Sequence, residues 1–413
     1  MKNTVTLLSS LVVVLTAILS VMLIYFIKIY NSSENNVNND ISQSSMQSQT
    51  AIQSEKEEVV EQISFNEKLI SAREHNSLQS EERLTFELPI NGAMGFPSVN
   101  AKLYSDENLS KGGADYIGAG QPFVIKREIN GTVWKVVSKD GKEGYISNKN
   151  CFINLPDIVP SIVYNITNSS SSIFLSSGKE IPEITGEKLF DFYFFNERYG
   201  EDEYVAPVLY TMAKKIYNAQ VSALSEGNTL VIYETYRPYD AQMAVAKALK
   251  TLSNADKEVK AGLSKSPWSL NWFIATQLST HQKGCAIDVS LAMVNNATVK
   301  DCGNYKYLDI DDFTEYEMQT DMHELSVSAV ALKFPVNGNS ADAWRKVENS
   351  PLMTEGAVLL KKYCTDSGMS PLASEWWHFN DLEAVKELGR NYRLDYNFSV
   401  NISQPVEVEN LNE

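Results

Sequence analysis

The sequence predicts an α+β domain over roughly its C-terminal 250 residues, preceded by a small all-β domain and an N-terminal apolar helix. Three observations carry this. Helical spacings and buried-strand runs mix irregularly from about residue 160 onward, with no internal repeat. Short apolar runs separated by Asn-Gly and Asp-Gly turns fill residues 85–155. An uncharged run, Val5–Ile27, opens the chain.

That run, VTLLSSLVVVLTAILSVMLIYFI, is long enough to cross ~30 Å of hydrocarbon as a helix. It ends in Tyr25, Phe26, Ile27 and Lys28, with no small-residue cleavage site, so an uncleaved anchor over residues 1–30 is expected rather than a signal peptide. Lys2 and Lys28 flank it almost symmetrically and leave orientation undecided. Residues 31–83 follow as a flexible linker. Their Asn, Ser, Gln and Glu content up to about residue 64 cannot bury enough apolar surface to order the chain, although a short helix is expected near 55–75.

Residues 84–157 read as a small β-barrel. QPFVIKRE, Asn130-Gly131, TVWKVVS, Asp140-Gly141 and EGYIS follow in quick succession, and both dipeptides tolerate the positive φ of tight hairpins. In the last segment, 158–413, apolar residues at 205, 208, 209, 212, 213, 216 and 217 predict a helix over 204–226, stopped by Gly227. TLVIYET (229–235) is a buried strand and YDAQMAVAKALKTL (239–252) an amphipathic helix. CAIDVSLA (285–292) and WWHFN (376–380) read as strands, and LEAVKELGR as a short helix.

Composition excludes several functions. The chain carries 36 Lys and Arg against 52 Asp and Glu, a net charge of −16, which disfavours phosphate-backbone binding; no nucleic-acid partner is expected. Its four cysteines fit neither a zinc ribbon nor a disulfide scaffold. A Cys302–Cys364 bridge is open to an extracellular chain, but buried free thiols are the better reading. With only four histidines, any imidazole-ligated metal must draw on His75, His281, His323 and His378.

Three short elements bear chemistry. In Ser279-Thr280-His281-Gln282-Lys283-Gly284-Cys285-Ala286-Ile287-Asp288, a His and an Asp seven residues apart can share a metal only if the chain bends between them; Gly284 permits that bend. In Glu375-Trp376-Trp377-His378, an imidazole is preceded by a carboxylate that can serve a reacting water without binding the metal, at an irregular strand end. Tyr236-Arg237-Pro238 places a cation at the C-terminal end of a buried strand. Each alone has a plainer reading as a capped, paired or solvated group.

Together, S-x-H-x-x-G-x-A-x-D, E-x-x-H and an upstream Y-R-P resemble the D-Ala-D-Ala metallopeptidases, which share a fold with lysostaphin-type enzymes and the hedgehog signalling domain. The resemblance covers about residues 160–400. It implies Zn2+ held by His281, Asp288 and His378, with Glu375 as base, Arg237 as transition-state stabiliser and Ser279 as a substrate contact. EWWHF and AIDVSLA are most similar to the vancomycin-resistance dipeptidases, as is Met318-Gln319-Thr320-Asp321-Met322-His323. There the sequence departs: His323 stands where that branch has an Asp that holds the dipeptide's free ammonium. Glu324 or Asp321 are the candidate replacements, and His323 as a fourth metal ligand is the weaker alternative. The 84–157 segment resembles bacterial SH3-like domains.

The resemblance and the anchor together imply a single-pass protein of the cell membrane with its catalytic domain outside, acting on peptidoglycan stem peptides. A zinc D,D-carboxypeptidase is the leading expectation. The alternatives are a D-Ala-D-Ala dipeptidase, a cross-link endopeptidase, or a non-catalytic wall-binding protein.

Overall fold

A computed structural model describes residues 64–79 and 86–406. The expected anchor and residues 31–63 of the expected linker lie outside the described residues. No helix among the described residues is long and apolar enough to cross a membrane.

The Asn-Gly and Asp-Gly signals close hairpins as expected. Phe123–Asn130 pairs with Val133–Ser138, and Val133–Ser138 with Glu143–Ser147. Gly141 takes φ +77°, and Ser138 and Lys142 bond across its turn. These strands belong to an eight-stranded antiparallel sheet running Pro207–Leu209, Cys151–Asn154, Met94–Pro97, Phe123–Asn130, Val133–Ser138, Glu143–Ser147, Ala101–Tyr104, Gly112–Ile117. Its inward alternation buries Phe96, Phe123, Trp134 and Phe152 completely.

The first strand of that order corrects the expected 204–226 helix. Residues 207–209 pair with Cys151–Asn154, and the helix begins only at Tyr210 and runs to Ser225. The apolar positions at 205, 208 and 209 fit a helical period by coincidence, and strand pairing overrides it. The sheet therefore crosses the boundary drawn at 157/158, and one hydrophobic core runs from Phe96 and Trp134 to Tyr236 and Phe398. At the seam, Tyr236 packs edge-on to Phe152 at 6.3 Å and to Phe398 at 4.7 Å.

The second sheet runs Ser370–Pro371, His378–Asn380, Ala286–Cys302, Asn228–Glu234, Val163–Tyr164, with Tyr305–Glu315 on the distal half of Ala286–Cys302. Helix Tyr210–Ser225 lays Met212, Ala213, Ile216 and Ala223 on the core. Its buried Gln220 is fully used: the amide donates to Ser161 and Thr229 and accepts from the Leu230 N–H. Tyr239–Ala255 and Leu382–Leu388 form where expected; Asp381 caps the latter by accepting from Glu383 and Ala384 N–H groups.

Residues 64–79, at the end of the expected linker, are a helix packed against the second sheet and helix Tyr210–Ser225. Phe65 and Leu69 cluster with Leu224, Ala297 and Leu308, and Asn76 exchanges hydrogen bonds with the Lys306 backbone. All four cysteines are buried free thiols, so Cys302 and Cys364 are unbridged.

Candidate metal centre and catalytic cleft

Strand register gathers the site. Glu234, Asp288 and His378 are cross-strand neighbours on three adjacent strands. Neighbours in register point to one face, so the three side chains stand side by side. His281 reaches them from a single 3₁₀ turn, His281–Lys283, that ends at Gly284 with φ +64°. The bend expected at Gly284 is present, and its missing Cβ matters twice. The conformation is left-handed, and a methyl there would lie 2.2 Å from the Phe152 ring. Glu375 sits in a turn before His378, held where Trp376 Nε1 donates to Thr320 Oγ1 and Trp376 N to the Ala329 carbonyl.

Ligand atoms of His281, Asp288 and His378 lie within 4.8 Å of one another, all buried. Asp288 Oδ1 is 3.3 Å from His281 Nε2 and 2.9 Å from His378 Nδ1, and the two ring nitrogens are 3.2 Å apart. The outer nitrogens fix the tautomers. His281 Nδ1 donates to the Thr235 carbonyl at 2.6 Å and His378 Nε2 to Asn380 Oδ1 at 3.0 Å. In the neutral rings both inner nitrogens are then lone pairs aimed at a carboxylate and at each other. Three acceptors converging without a donor fit a divalent cation, and two imidazoles with one carboxylate suit zinc.

The titration shifts agree. Burial raises Asp288, but the charge and hydrogen bond of His281, with bonds from His323 and His378, outweigh it and hold the carboxyl well below its usual range. Burial pushes His281 below the ordinary imidazole value. Burial also lowers His378, but the Asp288 hydrogen bond and charge, with Glu375, carry it above. Glu375 is 8 % exposed, with Oε2 3.8 Å from His378 Nδ1; burial pushes its carboxyl up to about 8.

Arg237 is tied inward. Its Nε donates to Glu234 at 2.8 Å, Nη1 to Gln242 at 2.6 Å, and Nη2 to both Glu234 and Asp288 Oδ2, the latter at 2.9 Å. Ser279 stands at the rim: its Oγ accepts from His281 N at 3.2 Å and its N–H donates to Gln282. A cleft of about 280 Å³ opens over these groups, walled by Trp272, Leu278, Asn339 and Leu372.

Two candidate ammonium ligands are elsewhere. Glu324 accepts from the Ser177 and Gly178 N–H groups, and Asp321 is exposed and does not line the cleft. His323 is not placed as a fourth ligand, because its Nε2 faces Asp288 Oδ2, on the side away from the two imidazoles. Glu234 was missed. A carboxylate ending an apolar strand three residues before an arginine is the signal, since a buried charge requires a partner.

A buried His–Asp–His set beside a raised carboxylic acid, open to a cleft at the edge of a mixed sheet, defines a metallopeptidase. Residues 205–399 match the family model described as D-ala-D-ala dipeptidase. No curated protein matches it.

Proposed function

We propose that the protein is a membrane-anchored zinc D,D-peptidase that removes the terminal D-Ala from peptidoglycan stem peptides on the outer side of the membrane. His281, Asp288 and His378 hold the metal, Glu375 is the base, and the 84–157 segment is an SH3-like module. When bound, the zinc supplies Lewis acidity to the scissile carbonyl and acidifies water beside it. Glu375 takes the proton of the attacking water and delivers it to the departing amine nitrogen. Arg237 supplies a fixed positive charge next to the carbonyl oxygen as negative charge develops there. Ser279 lies at the rim, where a substrate backbone passes.

The observation that carries this reading over a dipeptidase is the supply of carboxylates. Among the described residues lining the cleft, only Asp288 and Glu375 are acidic, and both are committed. A free ammonium would have no partner, whereas a peptide whose amine is already acylated needs none. A cross-link endopeptidase is the second reading. Arg237, the cation lining the cleft, is already paired with Glu234 and Asp288, so a terminal carboxylate gains no unpaired cation there.

The test uses the zinc-loaded full chain with free D-Ala-D-Ala, a muramyl pentapeptide, and the same pentapeptide amidated at its C-terminus. Release of D-Ala from the free pentapeptide, abolished by a chelator, is expected. Preference for the dipeptide overturns the reading, and equal cleavage of the amidated peptide moves it to the endopeptidase.

A further inference from the structure

We propose that His323 is a positioning residue that, with Arg237, holds the outer oxygen of Asp288 so that only the inner one faces the metal. The proposal rests on the reading that His281, Asp288 and His378 bind zinc.

The two carboxylate oxygens of Asp288 are sorted. Oδ1 faces the two ligand imidazoles, while Oδ2 meets Arg237 Nη2 at 2.9 Å and His323 Nε2 at 3.1 Å. A carboxylate is acceptor-only, so His323 Nε2 carries the proton and donates it. Its Nδ1 is buried with no hydrogen-bond partner. As an unprotonated lone pair in an apolar stack it leaves no N–H unmet. Glu234, Asp288 and His323 also lie close enough to hold a metal, but the Arg237 guanidinium bonds both carboxylates and already supplies that cluster's positive charge. This makes the cluster a support for the first site rather than a second one.

The ring is held firmly enough for that task. It is fully buried, stacks on Phe174 with centroids 4.3 Å apart and planes 15° apart, and meets the Trp377 edge at 6.0 Å. Its backbone is left-handed, φ +61°, a region uncommon for a non-glycine residue. The hairpin Leu175–Ser176/Lys179–Glu180 ties the segment in place. Leu175 N donates to the His323 carbonyl, Leu325 N to the Leu175 carbonyl, Ser176 Oγ to the Leu325 carbonyl, and Glu324 caps Ser177 and Gly178.

The experiment measures Zn2+ affinity of the full chain by competition with a fluorescent chelator, without substrate, together with the absorption spectrum of the Co2+-loaded protein. His323→Phe keeps the ring stack and removes the donor; His323→Gln places an amide N–H near the position of Nε2. His323→Phe is expected to bind zinc about 10–100-fold more weakly and to change the Co2+ bands, with His323→Gln recovering most of the loss. Wild-type affinity in a folded His323→Phe protein overturns the proposal. So does a Gln variant as weak as the Phe variant, which would mark the imidazole as a direct ligand. If His323→Phe lacks a native near-ultraviolet spectrum, Glu324→Ala, which loosens the segment while keeping the imidazole, is measured the same way, and unchanged affinity overturns the proposal. A wild-type chain that binds no zinc sinks the metal-site reading itself, an outcome distinct from the other three.

Discussion

At the scale of single residues, the candidate metal centre is sensitive to pH. Burial holds the Glu375 carboxyl at about 8, so it carries a proton at neutral pH when no metal is present, and the Asp288 carboxylate holds His378 above the ordinary imidazole value. A divalent ion between them favours their deprotonated forms. Zinc affinity should therefore rise with pH up to about 8, and binding at pH 7 should release protons. Calorimetry in two buffers of different ionisation enthalpy reads the number; a value of zero contradicts the assignment. Glu375→Gln keeps the shape and removes the base. Metal content should be unchanged and turnover should fall by roughly 10²–10⁴-fold, measured at saturating substrate.

At the scale of elements, the bend and the seam decide more than the strands that flank them. Gly284→Ala would impose a left-handed alanine, costing about 1–3 kcal/mol, and push a methyl into Phe152. A lower thermal midpoint with weaker zinc binding is expected, since His281 lies three residues upstream. The contact of helix 64–79 with the enzyme contains a second sensitive group. Half-buried Glu87 accepts from Ser161 N and Oγ, and its pKa is raised by burial from 4.5 to about 7. The folded state thus holds a proton that the unfolded state gives up. This contribution is fully present below pH 4.5 and is lost as pH rises to about 7. Glu87→Gln, neutral throughout, should gain on the wild type across that window by about 1–3 kcal/mol, read from urea midpoints at pH 5 and pH 8. The motif carriers were legible because their chemistry demands them: a glycine where the chain must reverse, an irregular turn ahead of His378. The strand 207–209 was not. Three residues are too few to show a period of two, and their pairing with Cys151–Asn154 is a tertiary fact.

At the scale of the whole molecule, the sequence suggests two separable parts, and the structure joins them through one sheet and one core. The hidden information is long-range: Phe152 against Tyr236, Tyr396 and Phe398, and Leu209 N donating to the Gly284 carbonyl. No local pattern reports contacts separated by so many residues. Residues 158–413 expressed alone should lack a cooperative thermal transition, whereas 64–413 should melt as one unit, as calorimetry would show. Tight docking also gives the eight-stranded sheet a structural task. Its Phe152 presses on the glycine that turns His281 toward Asp288 and His378, so the sheet braces the geometry of the candidate site.

In evolutionary terms, that glycine couples two inheritances. A gene fusion that supplied a foreign N-terminal sheet would bring a different ring, or none, against Gly284, and the cut would fall inside a shared sheet. The two sheets are therefore expected to be passed on together, with substitutions at position 152 answered by changes at 236, 284 and 398 rather than by free exchange of modules.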